Sequence, residues 1–164
     1  MIPLARHPAA GPAFVLAVCI AVMLGAYGFQ YIGGLEPCHL CYLQRYAYYV
    51  AIPLAALSTA LAATRGLAAA RLPLVLTGLA LLTGMAIAGY HAGVEYHWWP
   101  GPETCTAPDL SGKGGDMLAA IMNQGLVRCD EIPWSLFGIS MAGYNFFISG
   151  ALGLLTLRMA WKAK

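Results

Sequence analysis

Charged side chains are scarce in this sequence. Only 10% of its 164 residues are charged and 60% are hydrophobic, whereas a typical soluble domain carries about 25% charged residues. Four stretches of 19 to 29 residues contain no charge at all. They lie between Arg6 and Glu36, Arg45 and Arg65, Arg71 and Glu95, and Glu131 and Arg158. Because about 20 apolar residues in a helix cross the hydrocarbon core of a bilayer, the composition excludes an ordinary soluble domain.

The uncharged stretches predict membrane-spanning helices, because backbone polar groups in lipid must pair within their own segment. The expected fold is an all-α membrane protein, a single domain over residues 1–164 that forms a four-transmembrane-helix bundle. The helices are expected at 12–32, 43–63, 72–92 and 135–159, with loops at 33–42 and 93–134. The first stretch lacks a small-x-small cleavage site, which favours a retained helix over a signal peptide.

Acidic residues are absent from one set of helix ends. That set carries basic residues instead, namely Arg6, Arg65, Arg71, Arg158, Lys162 and Lys164. The positive-inside rule places these ends and both termini in the cytoplasm, so the two loops face outward. In a bacterial inner membrane the outward side is the periplasm, where disulfides persist. The net charge of +2 reports this topology and gives no indication of nucleic-acid binding.

The long outward loop contains one segment with a helical pattern, "GGDMLAAIMNQGL". Asp116 is a candidate N-cap and Gly125 a candidate stop. The predicted short helix either covers the outer end of the bundle or lies in the membrane interface with its apolar face toward lipid.

The sequence has one Cys-x-x-Cys pair, Cys38 and Cys41, and no histidine directly follows it. This excludes attachment of a c-type haem. Structural zinc requires four ligands; His39 with Cys105 or Cys129 could complete such a set, but no second Cys-x-x-Cys is present, and no metal is expected. A redox pair is favoured, because Pro37 suits the first turn of a helix and a helix N-terminus stabilises a thiolate.

Arg45 lies one helical turn after Cys41. It is either a snorkelling arginine at a helix end or a cation that stabilises an anionic sulfur and a carbonyl oxygen. Cys105 and Cys129 lie in the long loop, where they form either a structural staple or the first stage of a thiol–disulfide relay. Four outward cysteines could pair in three ways.

Three blocks of the chain resemble the bacterial disulfide bond formation protein B (DsbB) family of inner-membrane thiol:quinone oxidoreductases. They are "EPCHLCYLQR", "YHAGVEYHWWPGPETC" and "RCDEIPWSLFGISMAGYN". The resemblance implies a multi-pass protein of the inner membrane, embedded in the lipid bilayer, with its redox loops in the periplasm. It also implies a periplasmic DsbA-like thioredoxin-fold partner and a quinone from the membrane pool, with ubiquinone expected ahead of menaquinone.

The resemblance also implies residue roles. Cys38 and Cys41 match the pair that passes electrons to quinone; Cys105 and Cys129 match the pair that oxidises the partner, with Cys105 bonding to it. Residues expected to line the quinone site are Arg45, His91 and Met141, while Trp134 and Gly138 match the turn into the last helix. Two alternatives stay open: a paralogue with the same chemistry for one dedicated client, and a non-enzymatic membrane scaffold with structural disulfides.

Overall fold

The chain is helical throughout most of its length. The computed structural model describes residues 7–102 and 127–163. Its elements are α1 (Ala10–Tyr31), α2 (His39–Arg65), α3 (Arg71–Glu95), β1 (Ser135–Leu136), β2 (Ile139–Ser140) and α4 (Met141–Lys162). The short helix expected near 116–125, and Cys105, lie outside the described residues.

Among the described residues, three helices, α1, α2 and α3, are long and apolar enough to cross a membrane. The fourth helix, α4, has the same 22-residue length as α1 but mixes polar and small residues with its apolar ones. Ser149 and Thr156 of α4 are completely buried, and Thr156 donates its hydroxyl proton to the Leu152 carbonyl of its own helix. Ser149 and Thr156 therefore face the protein interior.

Helix α3 packs mainly against α4 and α2, while α1 packs mainly against α2. Two glycines bring α3 and α4 into backbone contact. A Cβ atom built on Gly78 would lie 3.2 Å from the Gly153 carbonyl oxygen, and one built on Gly153 would lie 3.2 Å from the Gly78 carbonyl oxygen. Small residues at such crossings are how membrane helices approach closely. This contact joins the backbones of α3 and α4 closely.

Two helices begin at different residues from those expected. Helix α2 starts at His39 rather than 43, because the Cys38 sulfur caps it by accepting a hydrogen bond from the Cys41 N–H at 3.3 Å. Pro37 thus precedes the N-cap and is not part of the first turn. Helix α4 starts at Met141 rather than 135, because the preceding residues form a hairpin.

That hairpin pairs Ser135 with Ser140 and Leu136 with Ile139. Its two-residue turn, Phe137–Gly138, has φ values of 51° and 76°, the positive values that a type I′ turn requires. The Tyr96 hydroxyl donates to the Gly138 carbonyl at 2.8 Å and accepts from the Ser140 N–H at 2.9 Å. The start of α4 is therefore held beside the end of α3.

Candidate active site

Cys38 and Cys41 lie at the N-terminal end of α2, with their sulfur atoms 3.0 Å apart. Both are free thiols, and Cys38 is buried while Cys41 is half-buried. A disulfide bond has a length of about 2.05 Å. The two sulfur atoms are thus about 1 Å farther apart than in a disulfide bond.

Several donors surround the Cys38 sulfur. The Cys41 thiol and the Cys41 backbone N–H contact it from the same turn, and His91 Nε2 lies 3.5 Å away on α3. The hydrogen bond from the Cys41 thiol, together with the interaction with His91, lowers the pKa of Cys38, although burial opposes the shift. Cys38 is thus the sulfur that this environment holds as a thiolate.

The His91 ring is held by Gln44 of α2. The Gln44 side-chain amide donates to the Leu40 carbonyl at 3.2 Å and lies 2.8 Å from His91 Nδ1. Gln44 and His91 are 6% and 3% exposed, so water does not compete for these bonds. The histidine next to the dithiol is therefore His91 on α3, whereas His39, inside the Cys-x-x-Cys motif, is exposed.

The same network reaches α4. Gln44 Oε1 accepts a hydrogen bond from Asn145 Nδ2 at 2.6 Å. Asn145 Oδ1 in turn accepts from the Tyr48 hydroxyl at 2.7 Å and from the Ser149 hydroxyl at 3.0 Å. In the part of the chain that the structure describes, no buried side-chain nitrogen or oxygen lacks a hydrogen-bond partner. Helices α2, α3 and α4 are thus linked by one polar network in which every group has a partner, and this network specifies their relative positions.

Glu95 is a buried carboxylate, 4% exposed, at the last residue of α3. Its Oε1 atom lies 3.8 Å from His91 Nε2, and the Ser140 hydroxyl donates to its Oε2 atom. The sequence placed Glu95 among the acidic residues of the outward loop. In the structure it belongs to the helix and completes the surroundings of the His91 ring.

A cavity of about 520 Å³ opens beside the dithiol. It is lined mostly by apolar side chains, and its size falls within the range of about 300–1,000 Å³ that is usual for small-molecule sites. Five of the predicted site residues lie on its wall: Cys38, Cys41, Arg45, His91 and Met141. The structure therefore brings together residues from the start of α2, the end of α3 and the start of α4.

Arg45 is 9% exposed. Its Nη1 atom donates to Gln30 Oε1 at 2.6 Å and its Nη2 atom to the Ala26 carbonyl at 3.4 Å. The guanidinium carbon lies 5.2 Å from the Tyr27 ring centre and 5.5 Å from that of Tyr42. Within residues 7–102 and 127–163, Arg45 forms no ion pair with a carboxylate, so its charge is available to an anion in the cavity.

Cys129 is 1% exposed and disulfide-bonded. It belongs to one apolar cluster with Cys38, Leu40 and Val94. The structure thus places a cysteine of the second predicted pair in the same buried cluster as Cys38. Its predicted companion, Cys105, lies outside the described residues.

Sequence reasoning did not assign roles to Gln44, Glu95, Ser140 and Asn145. A usable signal existed, because an amide or carboxylate in an otherwise apolar membrane helix is a candidate functional residue by default. Gln44 and Asn145 each interrupt such a helix. Their partners, however, are separated by 47 and 101 positions along the chain, and no local spacing rule connects residues so far apart.

A reactive dithiol beside a buried histidine, at the end of helices able to span a membrane, defines a membrane thiol–disulfide oxidoreductase. The family described as Disulfide bond formation protein DsbB matches residues 9–159, and the chain belongs to this family. It is a disulfide-forming oxidoreductase and a multi-pass protein of the bacterial inner membrane. The resemblance identified from the sequence is confirmed.

Named relatives extend over nearly the whole chain. A protein of Methylococcus capsulatus named Disulfide bond formation protein B is 32% identical over 164 residues, covering 96% of this chain and 98% of that protein. A protein of the same name from Polaromonas sp. is 29% identical over 161 residues, covering 88% of this chain and 86% of its own length. No solved structure matches the chain.

Proposed function

We propose that the chain is a protein-disulfide:quinone oxidoreductase that reoxidises a periplasmic, thioredoxin-fold dithiol oxidase of the DsbA type. Two electrons pass through two cysteine pairs to a quinone of the membrane. The observation that carries the proposal is the cavity, because its wall contains the dithiol, a buried histidine and the Arg45 cation, which pairs with no carboxylate among the described residues.

The outer pair receives the electrons. A thiolate of the partner attacks the disulfide between Cys105 and Cys129 and bonds to Cys105, which releases Cys129 as a thiolate. The second thiol of the partner then displaces Cys105, and the partner leaves with its own disulfide. The presence of Cys129 and Cys38 in one buried cluster supports a direct transfer from this pair to the next.

The inner pair passes the electrons on. A thiolate of the outer pair, Cys129 or Cys105 once freed, attacks the oxidised Cys38–Cys41 pair. Attack at Cys38 releases Cys41, which borders the cavity one helical turn from Arg45. Closure of the outer disulfide leaves both inner sulfurs reduced. When the inner pair closes again, its two sulfurs lose two electrons and two protons, and the quinone gains both to become a quinol.

The cavity fits a quinone head group in its chemistry. Apolar side chains suit the ring, and Arg45, His91 and Met141 border the space. The guanidinium of Arg45 stabilises negative charge that develops on a ring oxygen or on the Cys41 sulfur. Ubiquinone is the expected quinone ahead of menaquinone.

In the membrane, α4 is proposed to cross as the fourth span, so that both termini lie in the cytoplasm. The dithiol, Glu95 and Met141 all lie at one set of helix ends. Arg65 and Arg71 lie at the opposite ends of α2 and α3, as the positive-inside rule requires for cytoplasmic ends. The cavity then opens near the periplasmic face, within reach of a soluble partner.

The test is reduction of a soluble ubiquinone analogue by a reduced DsbA-type protein, using the purified full-length chain in detergent. Cys41→Ser and Cys105→Ser are each expected to abolish turnover, whereas Cys19→Ala, in the core of the bundle, is the matched control and is expected to retain it. Full turnover in either of the first two variants would contradict the relay. Mass spectrometry of quinone that copurifies with the protein identifies the natural acceptor.

The same assay separates the alternatives. A scaffold with structural disulfides would show slow thiol exchange and no dependence on quinone. A dedicated-client paralogue would turn over with its own thioredoxin-fold partner and fail with a general one.

A further inference from the structure

The orientation of the Gln44 amide is determined by Leu40. A backbone carbonyl can only accept hydrogen bonds, so the Gln44 atom 3.2 Å from the Leu40 oxygen is the NH₂ group. The same NH₂ group lies 2.8 Å from His91 Nδ1. Gln44 Oε1 then accepts a hydrogen bond from the Asn145 NH₂ group at 2.6 Å. Turning the amide over would place two acceptors together at Leu40.

It follows that His91 Nδ1 accepts a hydrogen bond. In a neutral imidazole one nitrogen accepts and the other carries the proton, so the proton of His91 is on Nε2. The groups around Nε2 agree with this, because each can accept. They are the Cys38 sulfur at 3.5 Å and the Glu95 carboxylate at 3.8 Å.

We propose that Gln44 is a positioning residue that holds His91 in the Nε2–H tautomer, so that the ring donates to the Cys38 sulfur. Asn145 supports this by fixing the other end of the Gln44 amide. The role of this hydrogen bond in catalysis rests on the proposed redox function. The tautomer itself does not depend on quinone reduction.

This tautomer has a second consequence. The ligand-type atoms of Cys38, Cys41 and His91 all lie within 4.8 Å of one another, the arrangement of a zinc or cobalt site. Metal ions bind the lone pair of a neutral imidazole nitrogen, and in the Nε2–H tautomer the nitrogen that faces the sulfurs has none. Gln44 therefore weakens the binding of metal ions, which leaves the two thiols free for thiol–disulfide exchange.

The direct measurement is the ¹⁵N NMR spectrum of the histidine rings in the reduced, full-length protein in detergent. The His91 signals are assigned by comparison with His91→Ala. The expected result is a protonated Nε2 and an unprotonated Nδ1. The opposite tautomer in the unmodified chain would overturn the proposal, whether or not the protein reduces quinone.

Metal binding provides a second readout. In Gln44→Glu the carboxylate accepts a hydrogen bond from Nδ1, which leaves the Nε2 lone pair free. Since such outer partners change metal affinity by about 10- to 100-fold, Co²⁺ and Zn²⁺ should bind the reduced variant at least about tenfold more tightly than the unmodified protein. Cobalt–thiolate absorption reports binding. Ser58→Ala, a buried change elsewhere in α2, is the matched control and should bind as the unmodified chain does.

The increase in metal affinity of Gln44→Glu must depend on His91. Adding His91→Ala to Gln44→Glu should abolish it, while His91→Ala alone should leave the weak binding of the unmodified dithiol unchanged. If Gln44→Glu does not fold, Gln44→Met removes the donor without adding charge and should give a mixture of the two tautomers. A pure Nε2–H signal in Gln44→Met, or equal metal affinity in Gln44→Glu and the unmodified chain, would refute the positioning role.

Discussion

The Arg45 guanidinium is anchored to α1 by a 2.6 Å hydrogen bond to Gln30 Oε1. This bond and the flanking tyrosine rings hold the side chain on the cavity wall. An arginine so placed offers a fork of fixed N–H donors in addition to its charge. Both features bear on how an anion in the cavity would be stabilised.

Substitutions at Arg45 separate the effect of its charge from the effect of its fixed N–H donors. Arg45→Met removes charge and donors and should lower kcat for quinone reduction by about 10²–10³-fold, the usual effect of losing a donor to a developing anion. Arg45→Lys keeps the charge but loses the fork, so an intermediate loss is expected. Steady-state assays with a ubiquinone analogue measure both. An Arg45→Met variant with unchanged kcat would show that Arg45 does not act on the reaction.

The pH dependence of Cys38 alkylation follows from its lowered pKa. The thiolate is the reactive form, and it is present above the pKa in the folded protein and lost as the pH falls through it. Alkylation of Cys38 in the reduced protein should therefore continue at acidic pH, where an ordinary cysteine thiol with a pKa of about 8.5 no longer reacts. Peptide mass spectrometry after timed iodoacetamide treatment measures the rate at each pH.

The His91→Ala variant tests the cause of this shift. It removes a donor to the sulfur, so the alkylation profile should move to higher pH, while His39→Ala, at an exposed position, should leave it in place. Identical profiles for His91→Ala and the unmodified chain would assign the whole shift to Cys41.

The helices could be predicted from the sequence because exclusion of charge from lipid is a strong, local signal. Each of the four uncharged stretches overlaps one helix of the structure. The hairpin before α4 could not be predicted in this way. Its strands have two residues each, and its position depends on Tyr96, which is distant in the sequence.

Part of the candidate active site could also be predicted, because it depends on a local pattern in the sequence. Cys38, Cys41 and Arg45 share one helix end, so their proximity follows from helical spacing. Glu95 was assigned to a loop because a carboxylate is costly inside a membrane span. In the structure the Ser140 hydroxyl and the His91 ring offset that cost. Those partners come from two different elements, and only the packing of α3 against α4 brings them together.

The close contact of α3 and α4 predicts a stability effect. Gly153→Ala would place a methyl group 3.2 Å from the Gly78 carbonyl oxygen and 2.9 Å from Leu82 Cδ2. Overpacking of this kind costs about 1–3 kcal/mol. In α1, by contrast, a Cβ on Gly28 meets nothing within 4 Å, so Gly28→Ala is the matched control and should be neutral or stabilising by up to about 1 kcal/mol. Thermal unfolding in detergent compares them, and equal midpoints for the two variants would contradict the close packing.

The presence of Cys129 and Cys38 in one buried cluster predicts which cysteines exchange directly. In a Cys41→Ser, Cys105→Ser double variant, Cys38 and Cys129 keep their thiols and lie in one apolar cluster, so mild oxidation should join them. In the matched Cys38→Ser, Cys105→Ser variant, Cys41 is the remaining thiol of the inner pair. Its cross-link to Cys129 should form more slowly. Peptide mapping under non-reducing conditions identifies each bond. Faster cross-linking through Cys41 would reverse the order of transfer and make Cys38 the sulfur that faces the quinone.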